Sequence, residues 1–112
     1  MYPALRYNSL KDFNKALEYI NEALRLDPAN SAYWRYRGDI RYNDNDIDSA
    51  LADYNEAIRL DPANLTAYNN RAVAHYRKGG REQAIADFSF ILTIDPENEA
   101  ARENMEKLLR ME

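Results

Sequence analysis

Leu60-Asp61-Pro62-Ala63-Asn64 repeats the five residues Leu26-Asp27-Pro28-Ala29-Asn30, and a near copy follows at Ile94-Asp95-Pro96-Glu97-Asn98. The prolines Pro28, Pro62 and Pro96 are therefore 34 residues apart. A fixed period of this size marks stacked copies of one supersecondary unit. The chemistry of the junction explains why it recurs. Proline has no amide proton and disfavours the α conformation in the residue before it, so a helix running into Leu-Asp-Pro ends there. Asn30, Asn64 and Asn98 then offer a side-chain oxygen to cap the helix that follows.

Outward from these junctions the chain reads as helices. Phe13, Ala16, Leu17, Ile20, Ala23 and Leu24 recur at three and four and make one helical face, which ends at Asp27-Pro28. Residues 1–10 hold an abbreviated element in which Pro3 suits a first turn and Ala4, Leu5 and Tyr7 supply a short apolar face. The second unit is expected to form helices over about 31–44 and 48–60, with Asn45 and Asp46 in the turn. The third repeats this over 65–78 and 81–94, turning at Gly79-Gly80. Residues 99–110 make a lone helix with Ala101, Met105 and Leu108 inward, a pattern that suits a terminal cap.

With 112 residues the chain has the length of one domain and a thin, continuous core. No apolar run reaches membrane-spanning length, and the first residues lack the basic-then-apolar pattern of a secretory signal. A net charge of -4 argues against a nucleic-acid partner. The absence of cysteine removes disulfides and thiolate metal sites, and it leaves the compartment unread, with the cytoplasm as the default expectation.

A 34-residue helix pair ending in Leu-Asp-Pro resembles the tetratricopeptide repeat (TPR) family. The second unit carries Trp34-x2-Arg37-Gly38-x2-Arg41, then Ala50-x3-Tyr54, Ala57 and Pro62. The third carries Tyr68-x2-Arg71-Ala72-x2-His75, then Ala84-x3-Phe88, Ile91 and Pro96, and the first keeps Ala16, Ile20, Ala23 and Pro28. Small residues at Gly38, Ala50, Ala72 and Ala84 let paired helices approach, while Trp34, Tyr54, Tyr68 and Phe88 fill the space between them. Arg37, Arg71, Arg41 and His75 depart from the family's usual leucine and tyrosine and bring charge to a helix seam, where it needs partners. Arg37 and Asp53, like Arg71 and Asp87, are 16 residues apart, and the first unit has Pro3 and Tyr19 at those places. The charges are present together and absent together, which predicts an ion pair within each helix pair.

The resemblance implies an all-α solenoid of antiparallel helix pairs in a right-handed superhelix: an abbreviated repeat over 1–30, repeats over 31–64 and 65–98, and a capping helix over 99–112. It further implies an inner wall of first helices. On that wall fall Ala32, Arg35, Tyr36, Asp39, Tyr42 and Asn43, then Thr66, Asn69, Asn70, Val73, Tyr76 and Arg77, with Glu103, Asn104 and Lys107 added by the last helix. Aromatic shelves beside amide and guanidinium groups suit a peptide groove. One TPR subclass grips the C-terminal carboxylates of chaperones. Asn70 looks like its clamp asparagine, but Asp39 replaces another asparagine, and Ala100 and Asn104 stand where lysine and arginine are wanted. Two positive charges are thus missing and a negative one is added.

Other constellations are weaker. Asp44, Asp46 and Asp48 alternate like the start of a calcium loop, yet Ser49 replaces its glycine and Asn55 its bidentate glutamate, so a capped turn is expected. His75 is the sole histidine and has no partner ligand at metal spacing. Gly79-Gly80 lacks the neighbours of a phosphate loop. Phe90, aligned with Glu22 and Glu56, is expected to face outward or to meet the terminal helix. The expectation is a non-catalytic scaffold that takes a peptide or helix of a partner protein in its groove, with no cofactor, metal, membrane or nucleic acid. The alternative is self-association as a homo-oligomer, or docking onto a larger protein, through the face left open by the incomplete first repeat.

Overall fold

The computed structural model describes residues 10–110, with side chains from residue 12 onward, so the element expected over 1–10 lies almost wholly outside the described residues. Six helices follow in order: α1 Leu10–Leu26, α2 Ser31–Asn43, α3 Ile47–Leu60, α4 Leu65–Arg77, α5 Arg81–Ile94 and α6 Glu99–Arg110. There are no strands among the described residues. Each helix packs against its neighbours in sequence, and α2 also meets α4. This is an all-α, TPR-type helical repeat fold. No described helix is long and apolar enough to cross a membrane.

The three junctions adopt one geometry for one reason. The amides of Asp27, Asp61 and Asp95 close the last turn of α1, α3 and α5 onto the carbonyls of Ala23, Ala57 and Ile91, at 2.9, 2.9 and 2.7 Å. Proline then forbids continuation. The amides of Asn30, Asn64 and Asn98 reach back to the three aspartate carbonyls at 3.2, 3.0 and 3.0 Å. Their side-chain oxygens accept the amides of Tyr33, Ala67 and Ala101 at 3.3, 3.1 and 3.0 Å, which caps α2, α4 and α6. Within each helix pair, the turn needs one left-handed residue. Asn45 (φ 64°) and Gly79 (φ 93°) supply it at equivalent places. Asp44 and Lys78 fall just beyond α2 and α4, and α3 begins at Ile47, small shifts at helix ends from the expected bounds.

Fully buried alanines set the helix spacing: Ala16, Ala50 and Ala84 stand one period apart, and Ala67 and Ala101 hold the starts of α4 and α6. Larger side chains fill what remains. Phe13, Ile20 and Ile40 join α1 to α2, Tyr54 joins α2 to α3, and Phe88, Ile91 and Leu108 join α5 to α6. Gly38 is required by the tyrosine. A Cβ there would lie 2.6 Å from a ring carbon of Tyr54, closer than carbons can approach.

The paired charges meet. Arg37 grips Asp53 with Nε and Nη2 at 3.1 and 2.9 Å, and Arg71 grips Asp87 in the same way at 3.0 and 2.7 Å. Each guanidinium also lies over the aromatic ring three residues earlier, Trp34 at 4.8 Å and Tyr68 at 5.4 Å. The remaining Nη1 donates backward to Asn21 or Asn55, both at 2.8 Å and both 16 residues before the arginine. One arginine therefore fastens its own helix pair and ties it to the preceding one. Arg41 adds a further bond to Asp53 at 3.1 Å, which supplies the partner that its position demanded.

Phe90 is half-buried and packs locally, its ring on Tyr68 of α4 with centroids 4.4 Å apart. The phenylalanine replaces the glutamates of the other units and covers the aromatic ring that Arg71 lies over. At the far end Arg81 donates Nε and Nη2 to the carbonyl of Leu108 at 3.2 and 2.7 Å, satisfying a carbonyl in the last turn of α6.

Candidate functional site

Two recesses open between successive first helices. One, of about 250 Å³, is lined by Asp39, Tyr42 and Asn43 of α2, Tyr54 of α3, and Asn70 and Val73 of α4. The other, of about 150 Å³, is lined by Val73 and Tyr76 of α4, Phe88 of α5, and Asn104, Lys107 and Leu108 of α6. A shift of 34 residues carries Asp39, Tyr42, Tyr54, Asn70 and Val73 onto Val73, Tyr76, Phe88, Asn104 and Lys107. The same site is thus built twice, and Val73 belongs to both copies.

The first recess is organised by Asp39. Its Oδ1 accepts the Tyr54 hydroxyl at 2.5 Å and the Asn70 amide at 2.8 Å, and its Oδ2 accepts Nη1 of Arg35 at 2.8 Å. Asn69 extends the chain by donating to Asn70 at 3.3 Å. Burial, and then the Asp39 carboxylate, push the Tyr54 hydroxyl far above its ordinary pKa, so it remains a donor. The second recess has no such centre. Val73 stands in place of the aspartate and Phe88 in place of the tyrosine, and Lys107 brings the only charge in the lining.

The other residues expected on the wall line neither recess. Tyr36 is half-buried and packs on the cluster of Phe13, Ala16, Ile20 and Ile40. Arg35 lies 6.0 Å from the Tyr36 ring centroid. Arg77 lies over Tyr42 at 5.0 Å and donates to Asn45 at 2.8 Å, which ties the turns of two neighbouring units. Thr66 is exposed at the start of α4 and lines neither recess. Tyr54, Phe88 and Leu108, core residues by their sequence pattern, each also line a recess. The signal available was the joint change from Asp39 with Tyr54 to Val73 with Phe88.

The aspartates of the first turn serve structure. Asp46 caps α3 by accepting the Ser49 amide at 3.4 Å, and Asp48 pairs with Lys78. No three histidine, cysteine or acidic side chains come together as a metal cage among the described residues. His75 is half-buried, and burial pushes its imidazole below its ordinary pKa.

Two family patterns match the chain, "Tetratricopeptide repeat" over residues 5–30 and "TPR repeat" over residues 38–79, together more than half of its length. None of the curated proteins compared with it matches. Solved structures do. The TPR domain of Arabidopsis OM64 is 27% identical, with a TM-score of 0.84 over 95% of this chain and 88% of that one. The first TPR of Spaghetti (RPAP3), bound to the HSP90 peptide SRMEEVD, is 22% identical, with a TM-score of 0.84 over 94% and 83%. The second TPR domain of human RPAP3, in complex with the HSP70 peptide SGPTIEEVD, is 22% identical, with a TM-score of 0.83 over 96% and 89%. Periodic junctions, helix pairing and these matches agree, and the chain belongs to the tetratricopeptide repeat family.

Proposed function

We propose that the chain is a non-catalytic protein-interaction module that holds a segment of a partner protein along the face of α2, α4 and α6. Residues 1–112 act in this reading as one domain, with an abbreviated unit over 1–30 and a cap over 99–112. The observation that carries it is the duplicated recess: two concave sites, one period apart and joined at Val73, suit a ligand that is itself a chain. That two RPAP3 domains of the same fold hold peptides of HSP90 and HSP70 supports the mode of binding. Their acidic ligands do not transfer, because a carboxylate approaching Asn70 here meets the carboxylate of Asp39.

The test is a selection of phage-displayed dodecapeptides on the intact chain, followed by affinity measurements with the purified peptides. Val73→Trp fills both recesses without adding charge and is expected to weaken the selected peptides by roughly tenfold or more. Arg59→Glu, at an exposed position of α3 that lines neither recess, is expected to leave them bound. Peptides indifferent to Val73→Trp, or lost with Arg59→Glu, would move the site to the outer helices.

A further inference from the structure

We propose that the segment held on this face presents a lysine or arginine to Asp39 and an aliphatic or aromatic side chain to the recess above Phe88, one repeat further along. The inference rests on the groove reading above and adds the chemistry of its ligand. Each recess has one charged residue in its lining, and the signs are opposite: Asp39 in the first, Lys107 in the second. Their floors differ to match. Tyr54 and Asn70 aim donors at Asp39 and hold its carboxylate in place, whereas Phe88, Val73 and Leu108 leave the second floor apolar.

Asp39 keeps capacity for a ligand. Oδ1 accepts two bonds and is saturated, but Oδ2 accepts one, from Arg35, and a carboxylate oxygen takes two. The Arg35 contact uses a single Nη1 between groups each about a quarter exposed, 27% and 28%. A one-pronged pair four residues apart on a helix is weak, so an incoming cation can share Oδ2 or displace Arg35. Arg77 lies over Tyr42 and is bonded to Asn45, so it does not compete. A ligand carboxylate would instead be repelled by Asp39 while gaining only Arg35, which must first leave its partner. In the second recess the apolar floor excludes a charged side chain that brings no partner, while Lys107 and Asn104 at its edge suit the carbonyl oxygens of a bound backbone.

The sequences of the selected dodecapeptides test this directly. They are expected to be enriched in lysine or arginine together with leucine, isoleucine or phenylalanine at a fixed separation. Replacing the basic residue by norleucine should weaken binding to the unaltered chain about tenfold and be nearly silent on Asp39→Asn, which keeps the bond from Tyr54. Replacing the apolar residue by serine should weaken binding to both, and less so on Tyr76→Ala. Added salt should weaken the basic peptide and not its norleucine analogue, a readout that needs no protein variant. Acidic peptides, or basic ones that lose equally on Asp39→Asn and on the unaltered chain, would overturn the inference while leaving the groove reading intact so long as Val73→Trp still weakens binding. If Val73→Trp is silent the groove reading fails and this inference with it, and a selection that yields no binder overturns both.

Discussion

The second and third units share a period and most of their letters, yet they surround the binding face with different chemistry. Gly38, Asp39 and Tyr54 of one correspond to Ala72, Val73 and Phe88 of the other. The three changes are coupled by geometry. Tyr54 leans over α2 so that its hydroxyl reaches Asp39 at 2.5 Å, and that position leaves no room for a Cβ at residue 38. With phenylalanine there is no hydroxyl to place, the aspartate is not needed, and alanine fits. A repeat can therefore exchange a polar recess for an apolar one by altering three residues together, with the packing of its helix pair unchanged in kind. The arginine pair is what the two units keep in common: Arg37 with Asp53, and Arg71 with Asp87.

The largest difference expected between the units lies in those pairs. Asp53 is 2% exposed and accepts from two arginines, Arg37 and Arg41, whereas Asp87 is 6% exposed and accepts from Arg71 alone among the arginines. Removing either carboxylate leaves partly buried guanidinium groups, 17–27% exposed, short of a partner, at a cost below that of a fully buried pair, about 1–3 kcal/mol. Asp53→Ala, which strands two, is expected at the upper end of that range and Asp87→Ala at the lower, as read from urea unfolding. A double-mutant cycle on Arg71 and Asp87 should give a clear coupling energy; a value near zero would show the pair to be ornamental.

An effect no larger is expected from making the second unit resemble the third. Gly38→Ala forces a methyl group against the Tyr54 ring and should cost about 1–3 kcal/mol. Adding Tyr54→Phe frees the ring from Asp39, lets it shift, and should recover part of the loss. If Gly38→Ala is neutral by itself, the close approach of ring and helix is not what fixes glycine there.

The repeat architecture was legible in the sequence because its determinants are local. Proline and asparagine act within a few residues of where they stand, and all three junctions and caps follow from them. The arginine pairs were legible for another reason: the chain carries its own control, an earlier unit in which both charges are missing. What escaped needed three dimensions. Tyr54 reads as core because its ring is core, and only its hydroxyl, at the far end, reaches the groove. Tyr36 falls on the wall by its helical position, yet it packs against α1, since nothing in its own helix reveals how far the preceding element leans over it. Phe90 takes the register of Glu22 and Glu56, and only the fold shows that Tyr68 provides the ring it covers.

His75 gives the smallest and most specific contrast. It occupies the place of Arg41, and Asp87 lies 12 residues beyond it as Asp53 lies beyond Arg41. Burial lowers its pKa most; Asp87 opposes this, and Arg71 and Lys78 add to it. Because the folded pKa is below the ordinary value of 6.5, the unfolded chain takes up the proton first. The associated stability is therefore present in full above pH 6.5 and is lost as the pH falls from there through the folded value. Melting curves across this window should show a shallow acid-side decline that His75→Gln flattens. His75→Arg should also flatten it while retaining stability, because a permanent cation can bond Asp87 as Arg41 bonds Asp53. If His75→Arg is instead less stable than His75→Gln at every pH, Asp87 has no room for a second guanidinium, and the two units differ at this seam in shape as well as in charge.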